Sequence, residues 1–339
     1  MKPMAISSDL SHKMANMSLV CAILIVSQHV FTMACVPPRG TGLWWFFCLF
    51  RGVFTEIGVP YFFLAAGFFL SGHVCEEGWL GRETGKRVRT LLVPFFLWSI
   101  LTIVIRIVGF AASNLATHKF WTAGLDFSFH YFYHLQYFLR SLFVFVLLSG
   151  VLVALIRRLR AGAIFLLFGC YYALAAVGVA GDMAHYLFPI HGIAYFSLGI
   201  YLRIGGWRID RPRLLYGLSW IALGVCYVVR ILALHRGAQS AIAFYCTVPL
   251  AMIAVWSIMP CAAWPKKLTS CSFPIYLLHP FCLYFMYGIA GVLGYGDIAG
   301  RSAVAYVLAF LLATAGCFAL TFALRRFTPK MSEVMFGGR

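Results

Sequence analysis

The sequence has very little charge for its length. Only 11% of the 339 residues are Asp, Glu, Lys or Arg, whereas soluble globular proteins contain about a quarter. Acidic residues are scarcest, with 10 of them against 27 Lys and Arg, and 62% of the chain is hydrophobic. Such a chain cannot cover a water-exposed surface of its own size. This composition excludes a soluble globular protein and predicts one that is dissolved in lipid.

The sequence also lacks the patterns of a metal, disulfide or nucleic-acid protein. Its 11 Cys residues include no C-x-x-C pair. His130 and His134 have the spacing of metal ligands on a helix, but no Glu or Cys accompanies them as in known metal motifs, so we predict no metal site. The net charge of +17 falls in short clusters between long apolar runs. That pattern is typical of loops beside an anionic lipid leaflet, so we expect a bilayer as partner and no nucleic acid.

What the sequence does contain is a series of apolar segments long enough to cross a bilayer. Each is bounded by charged residues, Pro or Gly, and a partial interfacial helix is expected at 44–54. The predicted spans cover about 17–36, 57–72, 88–112, 137–156, 162–180, 188–204, 213–234, 241–260, 271–293 and 302–324. We therefore predict an all-α integral membrane protein with about ten transmembrane helices.

The positive charges predict the orientation of these spans. With ten spans, most of the 27 Lys and Arg fall in loops on one side, which the positive-inside rule makes the cytoplasm. Both termini are then cytoplasmic, in a multi-pass protein of the inner (plasma) membrane. The expected organisation is a tail at 1–16, a membrane domain at 17–325 and a second tail at 326–339.

Ionisable side chains at membrane depth are costly, so they usually face a cavity or a partner. His29 and His279 lie inside predicted spans, and Glu56 borders one. A neutral imidazole accepts a proton near pH 7, which suits general-base chemistry on a hydroxyl. The alternatives are a structural hydrogen bond for His29, an interfacial ion pair of Glu56 with Arg51, and for His279 satisfaction of backbone carbonyls freed by the following proline.

Cations form two further groups. Three arginines are predicted in the outer half of the bundle, namely Arg106, Arg140 and Arg230. Together they can hold an anionic or sugar-like ligand, whereas singly each would extend to the interface. The inner loop carries a second group, Lys86, Arg87 and Arg89. These either set the topology or contact the phosphates of a cytosolic nucleotide-bearing donor.

Five segments in order along the chain resemble the acyltransferase-3 family of membrane O-acyltransferases. The first span ends in a histidine as the family's does, at His29, and the second reads VPYFFLAAGFFL. The third reads KRVRTLLVPFFLW, the fourth QYFLRSL and the fifth SFPIYLLHP. The segments are 19–29, 59–70, 86–98, 136–142 and 272–280.

This resemblance implies a function. The family transfers an acyl group, usually acetyl from cytosolic acetyl-CoA, to a hydroxyl of a glycan or another acceptor, and the first-span histidine is the expected proton acceptor. Acetyl-CoA would be a donor substrate, with no cofactor permanently bound. The predicted site is catalytic at His29, Glu56 and His279. The donor would bind at Lys86, Arg87 and Arg89, and the acceptor at His134, Tyr137, Arg140 and Arg230.

The chain departs from the family pattern at two positions. The family's arginine eleven residues before the histidine is Ser18 here, and the Trp of the fourth motif is Tyr137. The loss of the arginine leaves open an acyltransferase relative that has lost catalysis and serves as a partner. Intramembrane His and Arg residues also suit a different class, a multi-pass transporter or flippase of a sugar-linked or small-molecule substrate.

Overall fold

A computed structural model of the chain contains only helices and connecting segments in the part that it describes. The described residues are 3–33, 40–46, 48, 50, 52–114, 137–176, 190–205, 213–235, 241–292 and 303–338. Within these ranges there is no β-strand, as the prediction of an all-helical protein requires.

The helices follow the apolar segments of the sequence. The first five are α1 (Ser8–Met33), α2 (Gly42–Phe46), α3 (Gly58–Leu70), α4 (Trp79–Arg87) and α5 (Val93–Asn114). The next five are α6 (Tyr137–Leu159), α7 (Ala161–Ala176), α8 (Ile190–Ile204), α9 (Arg213–His235) and α10 (Ala241–Ile258). The last four are α11 (Lys266–Thr269), α12 (Ser272–Val292), α13 (Ala303–Phe327) and α14 (Pro329–Met335).

A helix lies at each of the ten predicted spans. In the described part of the chain, 6 helical segments are long and apolar enough to cross a membrane, and three shorter apolar ones accompany them. The long segments are Ser8–Val30, Thr55–His73, Trp79–Ile105, Tyr137–Leu159, Leu214–Leu232 and Ala303–Phe327. The shorter ones are Ala161–Leu174, Cys246–Ile258 and Ser272–Met286. These helices confirm a helical membrane protein, while the count of ten and the orientation of the termini stay predictions.

Glycine brings α3 and α8 into backbone contact. A Cβ at Gly67 would overlap the Phe196 carbonyl, and a Cβ at Gly199 would overlap the Leu64 carbonyl and lie 2.8 Å from the Phe68 nitrogen. Close approach through small residues is a common way to associate helices in a bilayer, where hydrophobic burial between helices contributes little. The pair α3–α8 therefore forms a closely packed unit beside α1.

Helix α1, which carries His29, has three neighbouring helices. It packs on α3, α12 and α13, so that its inner face is enclosed by three other helices. The side chain of Asn16 donates two hydrogen bonds from Nδ2, at 3.0 Å to the Pro260 carbonyl and 2.9 Å to the Ala262 carbonyl. Lys13 is 5% exposed, and its ammonium lies 4.8 Å from the Trp256 ring centroid. These contacts fix the first half of α1 against the segment that follows α10.

Between α4 and α5 the helix widens into a π-helical turn, Val88–Leu92. Pro94 explains its position, because proline has no N–H to donate to the carbonyl of Thr90 four residues earlier and its ring crowds that carbonyl. The Val93 N–H instead bonds to the Val88 carbonyl, five residues back. Turns of this kind occur frequently at functional sites.

Candidate active site

The two intramembrane histidines predicted from the sequence lie side by side. The ring centroids of His29 on α1 and His279 on α12 are 4.8 Å apart, with the rings tilted by 58°. His29 Nδ1 lies 2.9 Å from the Ile25 carbonyl, and His279 Nδ1 lies 2.7 Å from the Tyr276 carbonyl. A carbonyl oxygen only accepts, so each Nδ1 donates and carries the hydrogen of the neutral imidazole. Each Nε2 then carries the lone pair that accepts a proton.

The bond made by His279 follows directly from its sequence context. Pro280 has no N–H, so within α12 it cannot donate to the carbonyl of Tyr276 four residues earlier. The His279 ring donates to that carbonyl instead. The expectation that His279 satisfies a carbonyl freed by the proline is therefore confirmed. The same bond fixes the tautomer of the ring that contacts His29.

Exposure distinguishes the two histidines. His279 is 3% exposed, whereas His29 is partly exposed. A group that takes a proton from a substrate must be reachable by that substrate. The geometry therefore favours His29 as the residue that meets the substrate, and His279 as the residue that lies behind it.

Polar side chains gather beside the far end of α1. Gln28 Nε2 donates a hydrogen bond of 2.9 Å to Glu56 Oε1, which joins the residue next to His29 to the start of α3. Arg230 Nη1 on α9 donates a 3.1 Å hydrogen bond to the Gly52 carbonyl, and its guanidinium interacts with the Glu56 carboxylate. The arrangement joins a carboxylate to the amide one residue before His29, and places a cation on the segment that carries the carboxylate.

Aromatic rings border this polar group. Phe46, Phe50 and Phe54 form a ladder with successive centroid distances of 5.0 and 5.8 Å, and Phe54 continues to Tyr227 at 6.3 Å. On the other side Phe46 meets the ring of Tyr306 at 5.8 Å. Such rings can stack on the apolar face of a ligand, while the polar group supplies hydrogen bonds.

Tyr306 anchors this aromatic border to α1, the helix that carries His29. Its hydroxyl lies 2.6 Å from the hydroxyl of Ser27, two residues before His29 on α1. Both side chains are buried, at 4% and 3% exposure, so this bond is shielded from competing solvent. The aromatic border is therefore held at the end of α1 that presents His29.

A cavity of about 260 Å³ lies between α1, α3, α6, α8, α12 and the segment from Arg87 to Leu91. Most of its wall is apolar, formed by Phe, Ala, Leu and Val side chains of α3, α6, α8 and the π-helical turn. Its polar lining residues are Ser18, Arg87, Ser272 and Tyr276. Tyr276 connects the cavity to the histidines, because its carbonyl holds His279 and its ring centroid lies 6.0 Å from the imidazole. The Arg87 guanidinium thus lies in the cavity wall, and Tyr276 links that wall to His279.

Of the three predicted donor-binding cations, only Arg87 lines this cavity. It is held by Glu83, whose Oε2 lies 3.3 Å from Arg87 Nη2 one helical turn away on α4. Lys86 and Arg89 are exposed on the surface beside it. Arg82 of α4 forms an ion pair with Glu76 in the segment before that helix, and hydrogen bonds from His73 and Arg82 lower the pKa of the Glu76 carboxyl. Arg87 is therefore the cation placed to meet a ligand in the cavity.

Ser18, the position at which the family has arginine, lies in the wall of the same cavity. Its hydroxyl donates 2.8 Å to the Met14 carbonyl, which also accepts the 2.7 Å hydrogen bond of the Tyr61 hydroxyl. Ser18, where the family has arginine, and the side chain of Arg87 thus line the same cavity.

The remaining predicted residues are less completely placed. Tyr137 and Arg140 are half-buried in the first turn of α6, and Phe138 between them lines the cavity and packs on Tyr276 at 5.3 Å. His134 and Arg51 lie outside the described residues. Arg106 belongs to α5, but the position of its side chain is not described.

Two residues of the site were not predicted. Gln28 lies in the first of the five segments and carried no prediction of its own, yet it makes the contact from α1 to Glu56. Tyr276 was read only as part of the fifth motif. Its position three residues before His279 is the available signal, since residues three apart share one face of a helix.

The acyltransferase-3 family model, described as an acyltransferase domain, matches residues 17–326. No curated protein and no solved structure matches the chain. The match covers nearly all of the chain, including both histidines, the cavity and the Glu56 region. The chain therefore belongs to the acyltransferase-3 family of membrane acyltransferases.

Proposed function

We propose that the protein moves an acyl group, in the simplest case acetyl, from cytosolic acyl-CoA to a hydroxyl of a glycan or another cell-envelope acceptor. The observation that carries this proposal is the pairing of the partly exposed His29 with His279, whose ring bonds to Tyr276 in the wall of the cavity that Arg87 also lines. Family membership supplies the reaction class. The cavity would supply a binding site for the donor, and His29 would supply the proton acceptor.

The donor would lie along the cavity. The phosphates of acyl-CoA are anionic, and Arg87 at the cavity with Lys86 and Arg89 beside it offers the cations to hold them. In this arrangement Arg87 provides the charge that the family pattern has at position 18. His29 lies eleven residues beyond Ser18, about 16 Å further along α1. A long, thin substrate arm is needed to bridge that separation, and the arm of CoA has this shape.

His29 would then act as the general base. Its Nε2 takes the proton of the acceptor hydroxyl, the hydroxyl oxygen attacks the thioester carbon, and the carbon–sulfur bond breaks. The proton held by His29 passes to the departing CoA thiolate. An alcohol and a thioester become an ester and a thiol, so the imidazole ends the cycle neutral. His279 is a positioning residue here, because it contacts His29 and is itself buried.

The acceptor would approach from the polar group at Gln28, Glu56 and Arg230. A sugar suits this surface, since its hydroxyls take hydrogen bonds from charged and amide groups and its apolar face stacks on rings such as Phe54 and Tyr227. Tyr137, Arg140 and His134 stay proposed acceptor contacts from the sequence.

Replacing Arg87 by alanine is expected to raise the Kd for acyl-CoA by about 10- to 100-fold, because a charged hydrogen bond contributes about 1.5–3 kcal/mol. Lys86→Ala is the matched control: the neighbouring cation is exposed, and its loss should change the Kd less than about fivefold. Isothermal titration in nanodiscs measures both. A Kd for acyl-CoA that Arg87→Ala leaves unchanged would remove Arg87 from the donor site.

The proposal is tested with purified protein in nanodiscs and radiolabelled acetyl-CoA, by following donor binding and the release of free CoA. Saturable binding with CoA release in the presence of a glycan acceptor is the expected result. Absence of saturable binding would contradict an acyl-CoA donor. Movement of a sugar-linked substrate that depends on a proton gradient, with no CoA release, would favour the transporter alternative.

A further inference from the structure

The segment after α13 returns to the bundle and packs against the π-helical turn that borders the cavity. Helix α14 ends at Met335, whose carbonyl accepts a 2.9 Å hydrogen bond from Trp98 Nε1. Phe336 is fully buried, and its ring stacks on Trp98 at 6.3 Å between centroids. We name residues 335–337 the C-terminal knob.

Gly337 brings the knob onto the π-helical turn. It has a positive φ of 62°, and a Cβ there would overlap the Thr90 carbonyl and lie 3.0 Å from Thr90 Cα. This is the carbonyl to which Pro94 cannot donate. The Thr90 hydroxyl is also buried and finds no hydrogen-bond partner among the described residues. The turn therefore depends on packing from outside its own helix.

The π-helical turn shapes the cavity. Arg87 immediately precedes it, Leu91 lies within it, and both line the cavity. The knob is linked to the histidine helix through Trp98, because the ring of Trp98 also lies 5.1 Å from the ring of Phe281, two residues after His279. One buried contact thus joins the proposed donor cations, the cavity wall and α12.

We infer that the C-terminal knob is a positioning element for the donor site, because it holds the π-helical turn in the shape that directs Arg87 into the cavity. This inference rests on the proposed function only where it names acyl-CoA as the ligand. The knob acts through Arg87 and Leu91, without touching the reacting atoms. Its loss should therefore weaken donor binding and leave the chemistry at His29 intact.

Two adjacent glycines supply a matched pair for the test. Gly338 also has a positive φ, 73°, but a Cβ there meets nothing within 4 Å. Gly337→Ala and Gly338→Ala therefore carry the same backbone cost of a left-handed alanine, and only the first pushes against Thr90. We expect Gly337→Ala to raise the Kd and KM for acyl-CoA at least about fivefold with kcat unchanged. Gly338→Ala should stay within about twofold of the unaltered protein.

A second variant and a second readout keep the inference testable if Gly337→Ala folds poorly. Trp98→Phe removes the hydrogen bond to Met335 but keeps a ring against Phe281 and Phe336, and should raise the Kd in the same direction. Trypsin cleavage after Arg87 and Arg89 in nanodiscs reports on the turn without any donor. Cleavage should be faster in Gly337→Ala than in Gly338→Ala, because a loosened turn opens more often.

The outcomes separate the two proposals. Equal Kd values and equal cleavage rates for the two glycine variants would overturn the knob as a positioning element. A fall in kcat at unchanged KM would overturn it too, since the effect would then lie at the chemical step. If the unaltered protein binds no acyl-CoA, the proposed function fails, and the cleavage rates alone decide whether the knob holds the turn.

Discussion

His29→Gln is expected to lower acyl transfer by a factor of about 10² to 10⁴, the usual contribution of a positioned general base. Glutamine keeps a polar side chain of similar length but cannot take up a proton. The loss should appear in kcat, because the donor contacts at Arg87 are untouched. The rate of CoA release at saturating acyl-CoA is the measurement.

His191→Gln is the matched control for this substitution. His191 is a histidine of the same helical bundle, but it is buried at 6% exposure and its ring contacts Phe63 and Tyr171. This variant should retain most of the activity. A His29→Gln protein that is folded and transfers acyl groups at the normal rate would remove His29 from the chemistry.

Gly199→Val is expected to destabilise the protein by about 3 kcal/mol or more, because the new side chain must displace the backbone of α3 at Leu64. A change of that size lowers the melting temperature by about 4 °C in a chain of 339 residues, because the unfolding entropy is about 2.1 cal/mol/K per residue. The melting temperature is measured in detergent by heating the protein and recording how much of the monodisperse size-exclusion peak is lost.

Gly217→Val provides the comparison for the glycine contact. Gly217 is exposed on α9 and a Cβ there meets nothing within 4 Å, so the same valine in a helix should cost well under 1 kcal/mol. If both valine variants have the same melting temperature as the unaltered protein, the close approach of α3 and α8 contributes little to stability.

Local chemistry explains which parts of this site could be predicted from the sequence. His29 and His279 stand out because an ionisable group inside an apolar run is costly, and the proline after His279 indicates the carbonyl that the ring satisfies. The distance between the two rings could not be predicted, because it depends on the packing of α1 against α12. Their separation of 250 residues in the chain gives no local pattern that pairs them.

Other contacts involve residues that have no sequence pattern pointing to a functional or packing role. Glu56 was expected to pair with Arg51 or to orient a histidine, and its contact with Gln28 involves an unremarkable amide. Gly67 and Gly199 read as ordinary small residues in apolar runs, because their role exists only once two backbones meet. The knob falls in a segment expected to be a tail, and the burial of Phe336 follows from tertiary packing that a short polar segment does not predict.

The hydrogen bonds at His29 and His279 have a consequence for how the site responds to motion. In hydrolytic triads a carboxylate from elsewhere in the fold orients the imidazole. In this protein each imidazole bonds to a backbone carbonyl three or four residues earlier in its own helix. If α1 and α12 slide or rotate as substrates bind, each ring travels with its helix and keeps its Nδ1 bond. The distance between the two rings is then the quantity that helix motion alters, while each ring keeps its orientation within its own helix.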